Sequence, residues 1–194
     1  MNIVNLLGSP AAWSRSAWLL ERVSRRLQAG GGHEVHTIAL RDLPSDALLR
    51  AETGRPGLRE AIAKVAEADV LLVATPIYKA SYSGLLKAFL DTLPQGALRG
   101  KTVLPIATGG VAGHLLALDY ALKPVLHALG ARHIVDGVFA VDEQLAPHTT
   151  LGYVAEDGLV RRLDRAVQSL HDAPNWRHVR SAPPEAFALR ALAL

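Results

Sequence analysis

The residues best suited to chemistry in this sequence lie in three short segments, each of which directly follows a run of apolar residues. The first segment, 8–16, places Ser9, Ser14 and Ser16 around Arg15. Hydroxyl groups, a guanidinium group and free amide N–H groups at the start of a helix together suit a phosphate group. The alternative is a plain turn in which Ser14 caps the helix and Arg15 lies in solvent.

The second segment, 75–84, carries two tyrosines among small residues. Tyr78 and Tyr82 could lie against a planar ring, and Ser83 or Gly84 would begin the next helix. The alternative is a rigid surface turn with ordinary exposed tyrosines, which are frequent in loops of any kind.

The third segment, 108–114, begins with Thr108, Gly109 and Gly110 and contains a further glycine, Gly113. Glycines let the backbone approach a ligand closely and leave amide groups free to donate to carbonyl or ring-nitrogen acceptors. A flexible connection would explain the same composition.

Other kinds of site lack the residues that they need. The sequence has no cysteine, which excludes disulfides, thiol nucleophiles and thiolate metal sites. It has no G-x-G-x-x-G and no G-x-S-x-G motif, and Gln95 stands where a P-loop ending at Gly100 and Lys101 would need its first glycine. The histidines have neither i, i+4 pairing nor a carboxylate at ligand spacing, so we expect no metal site.

Length and composition describe one soluble, charged domain. The 194 residues are 49% hydrophobic and 20% charged, with a net charge of +3 that favours anionic ligands. Aromatic residues make up only 5% and the basic residues are scattered, which argues against nucleic-acid binding. The apolar runs are far shorter than the roughly 20 residues that cross a bilayer, and residues 1–7 lack the basic start of a signal peptide. We therefore expect a cytoplasmic protein that does not span a membrane.

Strands alternate with helices along the chain. Hydrophobic periodicity predicts strands over 2–7, 34–39, 70–74, 101–107 and 134–141, helices over 14–28, 58–68, 84–93, 115–129 and 159–170, and an irregular stretch over 41–56. This alternation predicts an α/β, doubly wound parallel sheet, in which ligands bind at the carboxyl ends of the strands. We place this domain at 1–174 and a C-terminal tail at 175–194.

Five sequence motifs resemble those of a known family. They are LGSP at 7–10, SRS at 14–16, ATPIYKASYSG at 74–84, ATGG at 107–110 and HLLALDYALKPVL at 114–126. Together they resemble the NAD(P)H-dependent FMN reductases of flavodoxin-like fold, and the last motif resembles most the reductases of two-component alkanesulfonate monooxygenase systems. The resemblance covers residues 1 to about 141.

The resemblance implies a flavodoxin-like five-stranded parallel sheet of order 2-1-3-4-5 that binds FMN between strands one and three. It assigns the FMN phosphate to the first segment, the flavin edge to the second and the isoalloxazine ring to the third. The residues concerned are Ser9, Ser14, Arg15 and Ser16, then Pro76, Ile77, Tyr78 and Lys79 with Ser83, then Thr108, Gly109 and Gly110.

Tyr120 is a separate expectation of the resemblance. In the alkanesulfonate-type reductases the corresponding tyrosine is an inserted residue that forms a π-helical turn at a tetramer interface beside the flavin, and it is associated with releasable flavin. The alternative is an ordinary amphipathic helix that Pro124 alone distorts. We expect the π-helical turn.

The implied activity is reduction of FMN to FMNH2 by NADPH or NADH, followed by release of FMNH2 to a flavin-dependent monooxygenase that desulfonates alkanesulfonates for sulfur acquisition. Because the cofactors carry the chemistry, no acid or base residue is expected. The implied assembly is a homotetramer or a dimer.

Three other functions are open at this point. One is a reductase with tightly bound FMN that passes electrons to a quinone, an azo dye or a metal oxyanion. Another is a flavodoxin-type electron carrier, although such carriers are typically strongly acidic and this chain is not. The last is a flavin-binding regulatory or DNA-associated module, which the missing basic and aromatic platform disfavours.

Overall fold

A computed structural model describes residues 1–173, and the predicted tail at 175–194 lies outside these described residues. The strands are β1 (Asn2–Leu7), β2 (Glu34–Ala39), β3 (Val70–Tyr78), β4 (Ser81–Tyr82), β5 (Thr102–Gly109), β6 (His133–Ile134), β7 (Val138–Val141), β8 (Leu145–His148) and β9 (Gly152–Ala155). The α-helices are α1 (Arg15–Ala29), α2 (Ser45–Arg50), α3 (Leu58–Glu67), α4 (Gly84–Leu90), α5 (Lys123–Ala128) and α6 (Asp157–Asp172).

The main sheet is parallel and runs in the order β2-β1-β3-β5, with β6 and β7 together as its fifth strand. Counted as five strands along the chain, this is the predicted order 2-1-3-4-5. Strands β3 and β5 lie at the centre of the sheet, and their residues are buried except Tyr78. Their continuous apolar runs are typical of strands that are covered on both faces.

Each face of the sheet is covered by its own hydrophobic cluster. One cluster joins β1 residues such as Val4 and Leu6 to α3, α4 and α5. The other joins Ile3 to α1 and α6. Successive side chains of a strand point to opposite faces, so one strand contributes to both clusters. Helices on both faces leave the ends of the strands as the places where loops can form a site.

The fifth strand differs from the prediction because it is interrupted. The predicted strand 134–141 pairs with β5 first at His133 and Ile134 and again from Val138. The interruption lies opposite Pro105 of β5, which has no N–H to donate to the ladder. Gly137 also passes close to β5, since a Cβ there would lie 3.1 Å from the Pro105 carbonyl oxygen.

The predicted helix 115–129 is also interrupted. The chain forms a 3-10 helix over Ala112–Leu115, a π-helix over Leu118–Leu122 and then α5. Apolar residues at helical spacing fit all three kinds of helix, so periodicity alone could not distinguish them. Further elements were not predicted, among them the short helix α2 inside the stretch predicted to be irregular, the strand β4 and the antiparallel hairpin β8–β9.

Candidate active site at the carboxyl edge of the sheet

All three predicted segments meet at one cavity of about 240 Å³ at the carboxyl edge of the sheet. The cavity lies beyond the ends of β1, β3 and β5, where the strand order of the sheet reverses. Its lining consists of Ser9, Ala11, Trp13, Ser14, Arg15, Pro76, Ile77, Tyr78, Thr108, Gly109, Asp142 and Tyr153. Eight of the predicted site residues are therefore brought together by the fold.

The hydroxyl groups of the first segment shape the turn that leads into α1. The Ser9 Oγ accepts a hydrogen bond from the Ala11 N–H at 3.2 Å. The Ser14 Oγ accepts one from the Ala17 N–H at 3.2 Å and so caps α1. Ser16 is buried behind the cavity, with its Oγ 3.3 Å from the Ser14 Oγ. Ser14 thus combines the capping role with a position in the cavity wall.

Arg15 supplies the positive charge of the cavity. Its Nε is buried without a hydrogen-bond partner among the described residues, and it lies 3.6 Å from the Asp142 Oδ1. Its Cζ lies 5.4 Å from the centroid of the Tyr153 ring. A guanidinium group with an unused buried donor fits an incoming phosphate, because charge-assisted hydrogen bonds are the strong ones. The residues present therefore fit the phosphate of FMN.

The second segment is a continuation of the sheet rather than the loop that we predicted. Strand β3 runs on to Tyr78, turns at Lys79 and Ala80, and returns as the antiparallel strand β4. Lys79 and Ala80 have φ values of 49° and 62°, the left-handed conformation that a two-residue hairpin turn requires. Such a φ is costly for residues with a side chain, so the turn is strained.

The two tyrosines of this segment are separated by the pleat of the hairpin. Tyr78 lines the cavity and is half exposed. Tyr82 packs into the hydrophobic cluster under α4, and burial raises the pKa of its phenol. Only Tyr78 is thus available to a planar ring, which corrects the interpretation that both tyrosines could face one.

Ser83 lies behind the cavity and joins two of its walls. Its Oγ donates to the Gly8 carbonyl oxygen at 2.5 Å and accepts from the Leu86 N–H at 3.1 Å, which caps α4. Gly8 is held close on the same side, since a Cβ there would lie 2.9 Å from the Leu86 Cβ. Ser83 therefore ties the first segment to the second.

The third segment contributes the end of β5. Thr108 and Gly109 line the cavity, whereas Gly110 is exposed beyond it. A Cβ on Gly109 would lie 3.1 Å from the His114 Nδ1 and 3.3 Å from the Phe139 Cζ. A side chain at position 109 would therefore displace its neighbours. Lys79, in the hairpin turn, likewise lies outside the lining.

The π-helical turn that the resemblance implies is present. The Lys123 N–H donates to the Leu118 carbonyl oxygen, five residues back, which is the hydrogen bond of a π-helix. Pro124 follows within the first turn of α5 and has no N–H to donate to the Tyr120 carbonyl. The Tyr120 side chain is 79% exposed, and Leu115 and Leu116 nearby are exposed as well.

Two residues of the cavity lie outside the three predicted segments and were missed by the sequence analysis. Asp142 follows β7 directly. In a parallel sheet ligands bind at the carboxyl ends of the strands, so the same rule applied to the loop after the fifth strand would have found it. Tyr153 comes from the hairpin β8–β9, whose strands have four residues each and give no usable periodicity. Trp13 belongs to the first segment but was given no role.

The described part of the chain was searched for a cluster of metal ligands and for a membrane-spanning helix. Within residues 1–173, no group of three or more His, Asp or Glu side chains could hold a metal ion. None of the helices in that range has the length and hydropathy that a bilayer crossing needs.

Comparison with known proteins identifies the family. The model of the NADPH-dependent FMN reductase family matches residues 1–146. The chain belongs to this family. An FMN reductase (NADPH) of Pseudomonas putida is 47% identical over 92% of this chain and 87% of its own length. An FMN reductase (NADPH) of Escherichia coli is 44% identical over 98% of this chain and 97% of its own length.

A solved structure agrees with the fold of this FMN reductase family member. The apo form of an NADH:FMN oxidoreductase (EMOB) superposes with a TM-score of 0.80 and is 45% identical, covering 91% of this chain and 94% of that one. The predicted family, the flavodoxin-like fold, the oxidoreductase class and the use of FMN and NAD(P)H are therefore confirmed. The names of these similar proteins include both NADPH and NADH.

Proposed function

We propose that this FMN reductase reduces FMN with NAD(P)H in the cavity at the carboxyl edge and releases FMNH2 to a separate flavin-dependent monooxygenase. The observation that carries this proposal is the convergence of the three segments on one cavity that contains Arg15. When both cofactors are bound, NAD(P)H supplies a hydride and solvent a proton, so that FMN becomes FMNH2 and NAD(P)H becomes NAD(P)+.

Different residues of the cavity would bind the phosphate and the flavin ring of FMN. Arg15 would hold the phosphate together with Ser9 and Ser14, while Ser16 supports Ser14 from behind. Pro76, Ile77 and Tyr78 would line the flavin edge, and Thr108 and Gly109 would meet the ring. Lys79 and Gly110 would contribute from the rim. None of these groups needs to move a proton, because alignment of two cofactors is the main requirement of hydride transfer.

Release of the reduced flavin is the part of the proposal that concerns Tyr120. Its π-helical turn follows β5, whose end lines the cavity, and its side chain is exposed together with Leu115 and Leu116. We propose that a second copy of the chain covers this surface in a homotetramer or a dimer. The site would then open and close with that contact, and FMN would act as a diffusing substrate.

The resemblance to alkanesulfonate-type reductases supports a more specific role. The monooxygenase partner would desulfonate alkanesulfonates for sulfur acquisition, in the cytoplasm, and this protein would not bind the sulfonate itself.

One titration tests whether FMN is a substrate. The flavin-stripped protein is followed by NADPH and NADH oxidation while FMN is raised from substoichiometric to large excess, with dissolved oxygen as the final acceptor. We expect saturation only well above the enzyme concentration. A plateau at one FMN per subunit, with further turnover only after a quinone or dye is added, would instead indicate the reductase with tightly bound flavin.

A second experiment tests the role in desulfonation. The reductase, FMN and NADPH are combined with an FMNH2-dependent alkanesulfonate monooxygenase, an alkanesulfonate and dissolved oxygen, and sulfite is measured. We expect sulfite to form at a rate that follows the reductase concentration. FMNH2 production without sulfite would remove the sulfonate role and leave the reductase activity standing.

A further inference from the structure

A groove continues from the candidate active site along one side of helix α1. A space of about 400 Å³ shares Trp13, Ser14 and Tyr153 with the lining of the active-site cavity. A smaller space of about 110 Å³ extends it and adds Arg22. We call these two adjoining spaces the α1–hairpin groove; its walls are Trp13, Trp18, Glu21, Arg22 and Arg25 on one side and Leu151 and Tyr153 of the hairpin β8–β9 on the other.

The walls of the α1–hairpin groove are aromatic and well braced. The Trp18 Nε1 donates to the Leu151 carbonyl oxygen at 2.9 Å, and the Trp18 ring meets the Tyr153 ring edge-on at 6.4 Å. Trp13, at the mouth beside the active-site cavity, is 89% exposed. A tryptophan so exposed offers a free face on which a nucleobase can stack.

The far end of the groove is positively charged. Arg22 and Arg25 are exposed and lie one turn apart on the same face of α1. The Arg22 Cζ lies 5.5 Å from the Trp18 ring, and the Arg25 Nη2 donates to the Glu21 Oε1 at 2.6 Å. Two neighbouring guanidinium groups suit a phosphate monoester, which each can bind with two parallel hydrogen bonds.

These features match the chemistry of one ligand. Trp13 lies where the groove meets the active-site cavity, and Arg22 and Arg25 lie further along α1. In NADPH the adenosine ribose carries both the adenine and a 2′-phosphate, so these two groups lie close together, beyond the pyrophosphate that joins them to the nicotinamide half. NADH lacks the 2′-phosphate and would leave the two arginines unused.

We propose that the α1–hairpin groove binds the adenosine 2′-phosphate end of NADPH, with Trp13 against the adenine and Arg22 and Arg25 on the 2′-phosphate. This inference rests on the proposed function, because it concerns the nucleotide that reduces FMN. It makes the protein an NADPH-preferring reductase. Glu21 moderates that preference, since its carboxylate both holds Arg25 and adds a negative charge next to the phosphate.

The first test measures nucleotide preference. The ratio of kcat/KM for NADPH to kcat/KM for NADH is determined at saturating FMN for the wild type, Arg22→Gln, Arg25→Gln and the double variant. A hydrogen-bonded ion contributes about 1.5–3 kcal/mol, so we expect the ratio to fall about 10- to 100-fold in the double variant. Arg59→Gln, an exposed arginine of α3 outside the groove, is the charge-matched control and should leave the ratio unchanged.

The main comparison of the second test is made on the unaltered protein, so its result does not depend on whether a variant folds. Adenosine 2′,5′-bisphosphate and adenosine 5′-monophosphate are compared as inhibitors against NADPH at saturating FMN. We expect the bisphosphate to compete with NADPH and to bind about 10-fold or more tightly than the monophosphate. Trp13→Ala should weaken both inhibitors, because both carry the adenine.

The outcomes separate this inference from the function on which it rests. If the wild type oxidises neither NADPH nor NADH in the presence of FMN, the proposed function fails. If it oxidises them but the nucleotide ratio is the same in the double variant and the wild type, the groove assignment is overturned alone. Equal inhibition by the two adenosine nucleotides would overturn it as well.

Discussion

At the amino edge of the sheet the Lys101 ammonium group is enclosed by main chain, whereas at the carboxyl edge the Arg15 guanidinium group has an unused donor. The Lys101 Nζ donates to the carbonyl oxygens of Ala66 and Ala68, both at 2.7 Å. Within residues 1–173 the Arg15 Nε has no hydrogen-bond partner, and the Asp142 Oδ1 lies 3.6 Å from it. One cation thus completes the end of a helix, while the other is left for a ligand.

The two edges also differ in how the chain is held at the ends of the strands. Strand β1 and the chain entering β3 are joined at the amino edge by an ordinary contact, in which the Asp69 Oδ2 accepts from the Asn2 N–H at 2.8 Å. At the carboxyl edge Lys79 and Ala80 are held in the left-handed conformation. Ala51, which ends α2 away from the cavity lining, is also left-handed with a φ of 52°, so this conformation is not confined to the candidate site.

Substitution of Arg15 should have the largest effect on binding. In Arg15→Gln the charge-assisted hydrogen bonds to the FMN phosphate are lost, and the Kd for FMN should rise about 10- to 100-fold. Quenching of flavin fluorescence measures it, with Arg59→Gln as the control. A change of less than about 3-fold would remove Arg15 from the phosphate site.

Substitution of Lys101 should lower the stability of the protein and leave the Kd for FMN unchanged. In Lys101→Met the carbonyl groups that end α3 lose their buried donor, which should lower the free energy of unfolding by about 1–3 kcal/mol. Urea unfolding measures this, and Lys64→Met on the exposed side of α3 should cost less than about 0.5 kcal/mol. An altered Kd for FMN in Lys101→Met would contradict the conclusion that the amino edge contributes to stability and not to FMN binding.

Ser83 makes a structural contact at the carboxyl edge, so its substitution should affect stability more than FMN binding. Ser83→Ala leaves the Gly8 carbonyl without its donor and α4 without its cap, so the free energy of unfolding should fall by about 1–2 kcal/mol. We expect the Kd for FMN to rise only a few-fold, through displacement of Gly8. Ser45→Ala, an exposed serine of α2, is the comparison variant in the same urea experiment.

Relief of the strained turn should have a smaller effect of the opposite sign. Ala80→Gly removes the Cβ from a residue with φ at 62°, which should raise the free energy of unfolding by about 0.5–1 kcal/mol despite the added chain entropy of glycine. Ala88→Gly, inside helix α4, should lower it by a similar amount. Equal effects at the two positions would show that the turn is not strained.

The smallest expected effect is a pH dependence at the amino edge. Burial lowers the pKa of Lys101 from its usual value of 10.5. A lowered pKa means that the unfolded chain binds more protons just below that value, so the stability of the wild type should rise with pH there relative to Lys101→Met. Urea unfolding at several pH values between about 8 and 10 measures the difference. A difference that falls with pH would mean that the pKa of Lys101 is raised.

The central sheet and most of the site were predictable from sequence because their signals are local. Continuous apolar runs identify β3 and β5, and the polar segments that follow them must share one edge in a parallel sheet. Asp142 was missed only because the loop after the fifth strand was not considered. Tyr153 could not be found, since its position depends on how a short hairpin packs against Trp18. The extension of β3 to Tyr78 depends on pairing with β4, which is a tertiary contact.

Strand β3 also has a consequence for how the molecule opens. Its first seven residues pair with β5, its first five also pair with β1, and its side chains are buried on both faces. Amide hydrogens in such a strand exchange with solvent only when the whole domain unfolds, whereas those of surface turns exchange through local opening. The floor of the cavity therefore belongs to the most slowly exchanging part of the protein and the hairpin β8–β9 to a faster one. The hairpin β8–β9 at the outer wall of the ligand site would open locally many times for each global unfolding event that opens β3.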